Sequence, residues 1–164
     1  MAYEWQRIEQ MAQRHSDLTV RVMRMTPSAI PTAYEVTYNI RCICGIRQDL
    51  TPVFHDRYVM QMVLPEGYPQ VDALPVCHFV GDIKPWHPNI RYHGDMAGRV
   101  CINMANTSID LAWCIERIAL YLRYELYHAI NEPPYPEDLR VAEWVRHHGE
   151  PNEWIFYDQE RKQK

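Results

Sequence analysis

Nowhere in this chain do about 18 apolar residues run together, so no membrane span is expected. The first residues, Met1 to Ser16, are polar and charged, which excludes a signal peptide as their reading. An excess of positive charge is absent as well. Seventeen basic residues stand against 21 acidic ones, a net charge of −4, which argues against nucleic acid as a partner. Internal repeats and linker-like runs are missing, so residues 1–164 read as a single domain. Close cysteine pairs are almost missing. Cys42-Ile43-Cys44, with Cys77 and His78 further on, invites a zinc reading. A Cys-x-Cys on a strand points its thiols to opposite faces, however, which suits one metal poorly, and no metal is expected. Five cysteines is an odd number. Without an export signal the thiols read as reduced and the compartment as cytoplasmic.

What is present favours a globular fold. A hydrophobic fraction of 47% and an aromatic fraction of 12%, in 164 residues, suffice for a sizeable core. Residues 3–15 place Trp5, Ile8, Ala12 and His15 at near-helical spacing and leave Glu4, Arg7, Gln10 and Arg14 for solvent. Leu18, Val20 and Val22 alternate with polar residues, as a strand would. Tyr34, Val36, Tyr38, Ile40 and Cys42 predict a second strand, Tyr58 to Leu64 a third and Val76 to Val80 a fourth. This order reads as an antiparallel meander with one buried face. From Asp82 to Thr107 no period holds, and a loop of that length in a compact domain is more often functional than idle. Leu111, Ile115, Ile118, Leu122 and Leu126 then form a helical stripe, with Asp110 as its N-cap and Pro133, Pro134 and Pro136 as its stop. Glu137 to His147 predicts a last helix. The whole is an α+β domain: N-terminal helix, four-stranded antiparallel meander, long loop, C-terminal helices.

Within the long loop, Cys101 follows Gly98-Arg99-Val100, a turn and an apolar residue that would set a thiol at a surface. Cysteine combines strong nucleophilicity near neutral pH with the capacity to leave from a thioester. Taken alone, a free cysteine is more readily a small buried hydrophobe.

The ordered series around it carries more. Tyr68-Pro69, Pro75-Val76 and Phe79, His87-Pro88-Asn89-Ile90, Gly98-Arg99-Val100-Cys101-Ile102, Trp113 and Pro134-Tyr135-Pro136-Glu137-Asp138 occur in the order found in the ubiquitin-conjugating enzymes. The chain resembles that family over about residues 65–145 by motif, and before that by element order. The resemblance implies the ubiquitin-conjugating-enzyme fold and a transthiolation. Cys101 would accept a ubiquitin-like protein from an activating enzyme and pass it to a lysine of a protein target, as a monomer and with no cofactor. It implies Asn89 as the donor to the oxyanion, Asp138 with Glu137 as acids near the incoming amine, and His87, Pro88 and Gly98 as scaffold of the active-site loop. Trp5, Arg7 and Arg14 fall on the helix that meets the activating enzyme in that family. Asn89 could equally brace its own loop, and Asp138 could cap a helix.

Two rival readings stand beside this one: a non-catalytic module that holds a ubiquitin-like protein, and a cysteine hydrolase using Cys101 and His87. The chain also departs from the family. Fourteen positions separate His87 from Cys101, more than is usual, and Tyr135 stands between two prolines where the family often has Asn. The additional residues, Arg91 to Ala97, predict a polar, exposed insert that governs specificity and leaves the fold untouched. They place the chain in a divergent branch, of the kind found in bacterial conjugation systems, for which antiviral defence is the expected setting.

Overall fold

The computed structural model describes residues 2–68, 74–102 and 110–155. Pro69, the end of the long loop from residue 103 and the tail from Phe156 lie outside the described residues. Helix α1 (Ala2–Arg14) is followed by β1 (Leu18–Met25), β2 (Pro31–Tyr38), β3 (Cys42–Ile46), β4 (Pro52–His55), β5 (Tyr58–Val63) and β6 (Val76–Val80). Helices α2 (Leu111–Leu122) and α3 (Leu139–Trp144) complete the fold, α3 running on into a π-helical turn, Val145–Gly149. Among the described residues no helix is long and apolar enough to cross a membrane.

The expected four-stranded antiparallel sheet is present, in the order β1-β2-β5-β6. Its registers follow the alternation in the sequence. Val36 faces Met60, Tyr34 faces Met62, and Met60 faces Phe79 on the next strand. All five are buried on one face. Alternation lets that face be apolar while Glu35, Thr37 and Gln61 point the other way. Helix α2 covers the apolar face with Ile115 and Ile118, both fully buried, and the Tyr38 hydroxyl donates to the Ile115 carbonyl at 3.2 Å. Helix α1 contributes Ile8 and Met11 to the same core.

Three boundaries differ from the sequence expectation. The run Tyr34 to Cys42 is not one strand: β2 ends at Tyr38, where Asn39 N–H turns aside to the Asp17 carbonyl. Cys42 opens a separate two-stranded hairpin, β3–β4, that the periodicity did not distinguish because both strands keep the same alternation. The helix from Leu111 stops at Leu122, not at the prolines. Tyr124 adopts a left-handed φ of 55°, and the Arg123 and Tyr124 N–H groups close onto the Ala119 and Tyr121 carbonyls. Asp110 does cap α2, its side chain accepting from Ala112 N–H at 3.0 Å.

Candidate active site around Cys101

The segment Gly98–Cys101 is held from both sides. Toward β6, Phe79 N–H donates to the Gly98 carbonyl and Val100 N–H to the Cys77 carbonyl. Toward the other side, Gly98 N–H donates to Arg91, Arg91 N–H to Arg99, and Cys101 N–H to the Asn89 carbonyl at 2.9 Å. Gly98 is obligatory at this point. Its φ is 103°, and a Cβ there would lie 2.2 Å from the Phe79 carbonyl oxygen. This explains the Gly-x-x-Cys pattern: glycine lets the segment approach β6, and Cys101 is the first residue beyond the paired stretch. The thiol is half-buried, not fully at the surface. Burial pushes the Cys101 thiol up, the Glu137 carboxylate pushes it further, and Arg99 opposes them. Cys101 rests as a thiol, not a thiolate.

His87 is fully buried between Tyr121 and Tyr124, with ring centroids 4.9 and 4.8 Å away. Its Nε2 donates to the Leu126 carbonyl at 3.1 Å and its Nδ1 accepts from Asn89 N–H at 3.1 Å, so both ring nitrogens are engaged by one tautomer. Burial lowers its pKa to about 3, despite the bond to Leu126. His87 is a neutral structural member of the loop. Pro88 presents its carbonyl to Asp138 N–H at 3.1 Å, tying the His-Pro-Asn turn to the start of α3.

Asn89 is buried. Its Oδ1 accepts from His128 N–H at 2.9 Å, which fixes the amide and braces the chain after α2. The bracing role and a donor role are compatible, because an oxyanion needs only the Nδ2 end of the same group.

Asp138 lies deep in the protein. Its Oδ1 accepts from Arg140 and Val141 N–H, capping α3; its Oδ2 accepts from Tyr92 N–H, His93 N–H and His93 Nδ1, each at 3.0 Å. Burial pushes this carboxyl up, but the hydrogen bonds from Tyr92, His93 and Val141 outweigh it and hold the group below the usual carboxylate range. A carboxylate with five donors on its two oxygens orders the loop; its neighbour Glu137 pairs instead with Arg91 and Arg99.

The insert is only in part the exposed loop expected: Gly94, Asp95 and Met96 are exposed, but the residues before them are anchored. Arg91 pairs with Glu137, and Tyr92 donates its hydroxyl to the Cys44 carbonyl at 2.8 Å and packs edge-on against Trp86. His93 is bound to Asp138 through both its backbone N–H and its ring Nδ1. The polar composition was misleading because two of its backbone donors, the Tyr92 and His93 N–H groups, are spent on one buried acid. On α1, Trp5 is half-buried and stacked on Tyr34, Arg7 pairs with the capping Asp110, and Arg14 is exposed. Tyr121, Tyr124 and His128 are site residues that sequence reasoning missed; the aromatic run from Tyr121 to Tyr127 was the only signal for them.

No protein-family model matches the chain, and no curated protein matches it. Solved structures do. The chain is similar to a Plasmodium yoelii protein provisionally named a ubiquitin conjugating enzyme, at 15% identity and a TM-score of 0.50. That likeness covers 88% of this chain and 84% of the other. A ubiquitin conjugating enzyme from Plasmodium falciparum gives 19% identity and a TM-score of 0.44, over 71% of this chain and 96% of that one. At these identities the likeness is one of fold. The fold is ubiquitin-conjugating-enzyme-like, and the half-buried cysteine lies on the long connection between the sheet and α2.

Proposed function

We propose that the protein conjugates a ubiquitin-like protein to a protein target through a thioester on Cys101. The Cys101 sulfur attacks the thioester carbonyl presented by an activating enzyme. A new C–S bond forms, the old one breaks, and the activating enzyme's cysteine leaves with the electron pair and takes up the proton that the Cys101 thiol gives up. A lysine amine of the target then attacks the Cys101 thioester. A C–N bond forms, the C–S bond breaks with its electron pair returning to Cys101, and the surplus amine proton passes through solvent to that sulfur and restores the thiol. No bound cofactor takes part in either step.

The observation that carries this reading is the placement of Cys101: half-exposed, one residue past a clamped strand-like segment, its backbone bonded to Asn89. Asn89 Nδ2 serves the oxyanion of the second step. Asp138 acts at one remove, by holding the loop that carries Glu137. The exposed side of α1, with Arg7, Arg14 and the free edge of Trp5, meets the activating enzyme. Divergence from the family and a bacterial setting in antiviral defence belong to the same proposal. A hydrolase using His87 as base finds no support, since both ring nitrogens are engaged and the ring is buried.

The test is a charging reaction with ATP, an activating enzyme and its ubiquitin-like protein, resolved on gels with and without reductant. A reductant-sensitive adduct is expected, absent in Cys101→Ala. An adduct that survives Cys101→Ala overturns the reading. Binding without any adduct would favour the non-catalytic module.

A further inference from the structure

Ile90 and Val100 form an antiparallel bridge, and both side chains are buried. Backbone bonds carry the same register to either side: Arg91 N–H donates to the Arg99 carbonyl at 2.8 Å, and Cys101 N–H to the Asn89 carbonyl at 2.9 Å. Side chains alternate across such a pair, so Asn89, Arg91, Arg99 and Cys101 share the face opposite Ile90 and Val100. The two arginines therefore stand one step along that face from the proposed nucleophile, about 7 Å by strand spacing.

Beside Arg91, the insert and the start of α3 enclose a hollow of about 440 Å³. Arg91, His93 and Arg140 supply its basic groups, and the exposed Tyr135 and Leu139 its apolar ones. The neighbouring acids do not satisfy these cations. Asp138 is occupied by five N–H donors. Glu137 is shared between Arg91, at 3.4 Å, and Arg99, at 3.6 Å. Neither contact is a hydrogen bond, and Arg91 Nε is buried without one. Arg140 is exposed, and its guanidinium has no acidic partner among the described residues, Glu143 one turn further along α3 included. Three guanidiniums are thus set against one carboxylate that is free to pair, and a second carboxylate would find charge and donors waiting.

We propose that this hollow is a recognition subsite for the target: it takes the carboxylate of an aspartate or glutamate that lies two to four residues from the lysine to be modified. The proposal rests on the thioester reading and deepens it, because it names the kind of acceptor that the site selects. The target's carboxylate pairs with Arg140 and with the exposed part of the Arg91 side chain. Tyr135 and Leu139 cover apolar groups beside it. Extended chain advances about 3.3 Å per residue, so two to four residues span about 7–13 Å, enough for the offset from Cys101 to Arg91.

The experiment has two arms. The first uses the uncharged, isotope-labelled full chain and a set of short peptides. Each carries one lysine with a glutamate two, three or four positions to either side, and each has a counterpart with glutamine in place of the glutamate. Backbone amide shifts follow binding. The best glutamate peptide is expected to bind about three- to tenfold more tightly than its counterpart, with the largest shifts at Arg91, His93, Leu139 and Arg140. Arg140→Gln should level the two peptides and Arg140→Glu should reverse their order, both at the parent's melting temperature. A merely structural role for Arg140 would weaken both peptides alike. No preference in the parent, shifts centred elsewhere, or a preference unchanged in both variants overturns the proposal. The second arm measures discharge of the Cys101 thioester to the same peptides, where the preference should appear in KM with kcat little changed. A chain that binds the glutamate peptide in the hollow but never charges keeps the subsite and loses the thioester reading. A chain that charges and discharges to both peptides alike keeps that reading and loses the subsite.

Discussion

The two acids of the Glu137-Asp138 pair are adjacent in sequence and opposite in kind. Asp138 is sealed among five donors and cannot change partners without breaking α3's cap and the insert's anchorage at once. Glu137 is held by ion pairs longer than hydrogen bonds, with two arginines that retain roughly half their exposure. Saturated hydrogen bonding makes scaffold, because every alternative leaves a buried donor unpaired. Ion pairs at a rim leave a charge that can be shifted by a neighbour. The same contrast separates the buried knot of His87, Asn89 and Asp138 from the half-open edge where Cys101 sits.

Replacing Asp138 should break that contrast most severely. Asp138→Ala strands buried N–H groups of Tyr92, His93 and Val141, and about 3 kcal/mol or more of stability should be lost. Urea unfolding measures it; a loss under 1 kcal/mol would mean that water replaces the carboxylate freely.

His87 should give the next largest effect, through pH. Its folded pKa is about 3, below the usual histidine value, so the unfolded chain binds a proton that the folded chain does not. Stability should therefore fall as pH drops from about 6.5 toward 3, by at most about 1.4 kcal/mol per pH unit. Asp138 acts in the same direction at lower pH. Its depressed carboxyl adds stability above the ordinary carboxylate pKa of about 3.9, and that contribution is lost as pH falls through its folded value. Urea midpoints across pH 4 to 8, in parent and His87→Gln, isolate the histidine. A slope unchanged in the variant would assign it elsewhere.

Deleting His93 to Met96 should cost less, about 2 kcal/mol, seen as a Tm fall of roughly 4–8 °C. This reverses what composition suggests for the insert, since the deletion removes two of Asp138's contacts from His93. A Tm within 2 °C of the parent would restore the exposed-spacer reading.

Asn89 separates brace from donor on the finest scale. Asn89→Asp keeps the Oδ1 that accepts from His128 N–H and removes the Nδ2 donor. It should charge Cys101 normally but discharge to lysine at least about tenfold more slowly, with Tm little changed. Asn89→Ala should add a stability loss of about 1–2 kcal/mol. Equal discharge rates in parent and Asn89→Asp would leave Asn89 as brace alone.

The sequence by itself determined the sheet face, the helix positions and the Gly-x-x-Cys placement. Strand alternation at Tyr34, Val36, Met60 and Met62 and the stripe from Leu111 to Leu122 are local periodicities, set by geometry that every residue shares. Gly98 was legible as a turn residue, though its reason, the Phe79 carbonyl 2.2 Å from where a Cβ would sit, was not. Only the tertiary structure divided β2 from β3, stopped α2 at Leu122 and packed the insert onto Trp86 and Asp138. It also decided which of two neighbouring carboxylates is sealed by hydrogen bonds and which is left to ion pairs. Such choices depend on hydrogen bonds and ion pairs between residues some forty positions apart, such as Tyr92 with Asp138 and Arg99 with Glu137. A polar residue carries no local mark of the partner it will find. Apolar spacing is written along the chain, whereas polar pairing is settled only when distant segments meet and unpaired groups are excluded.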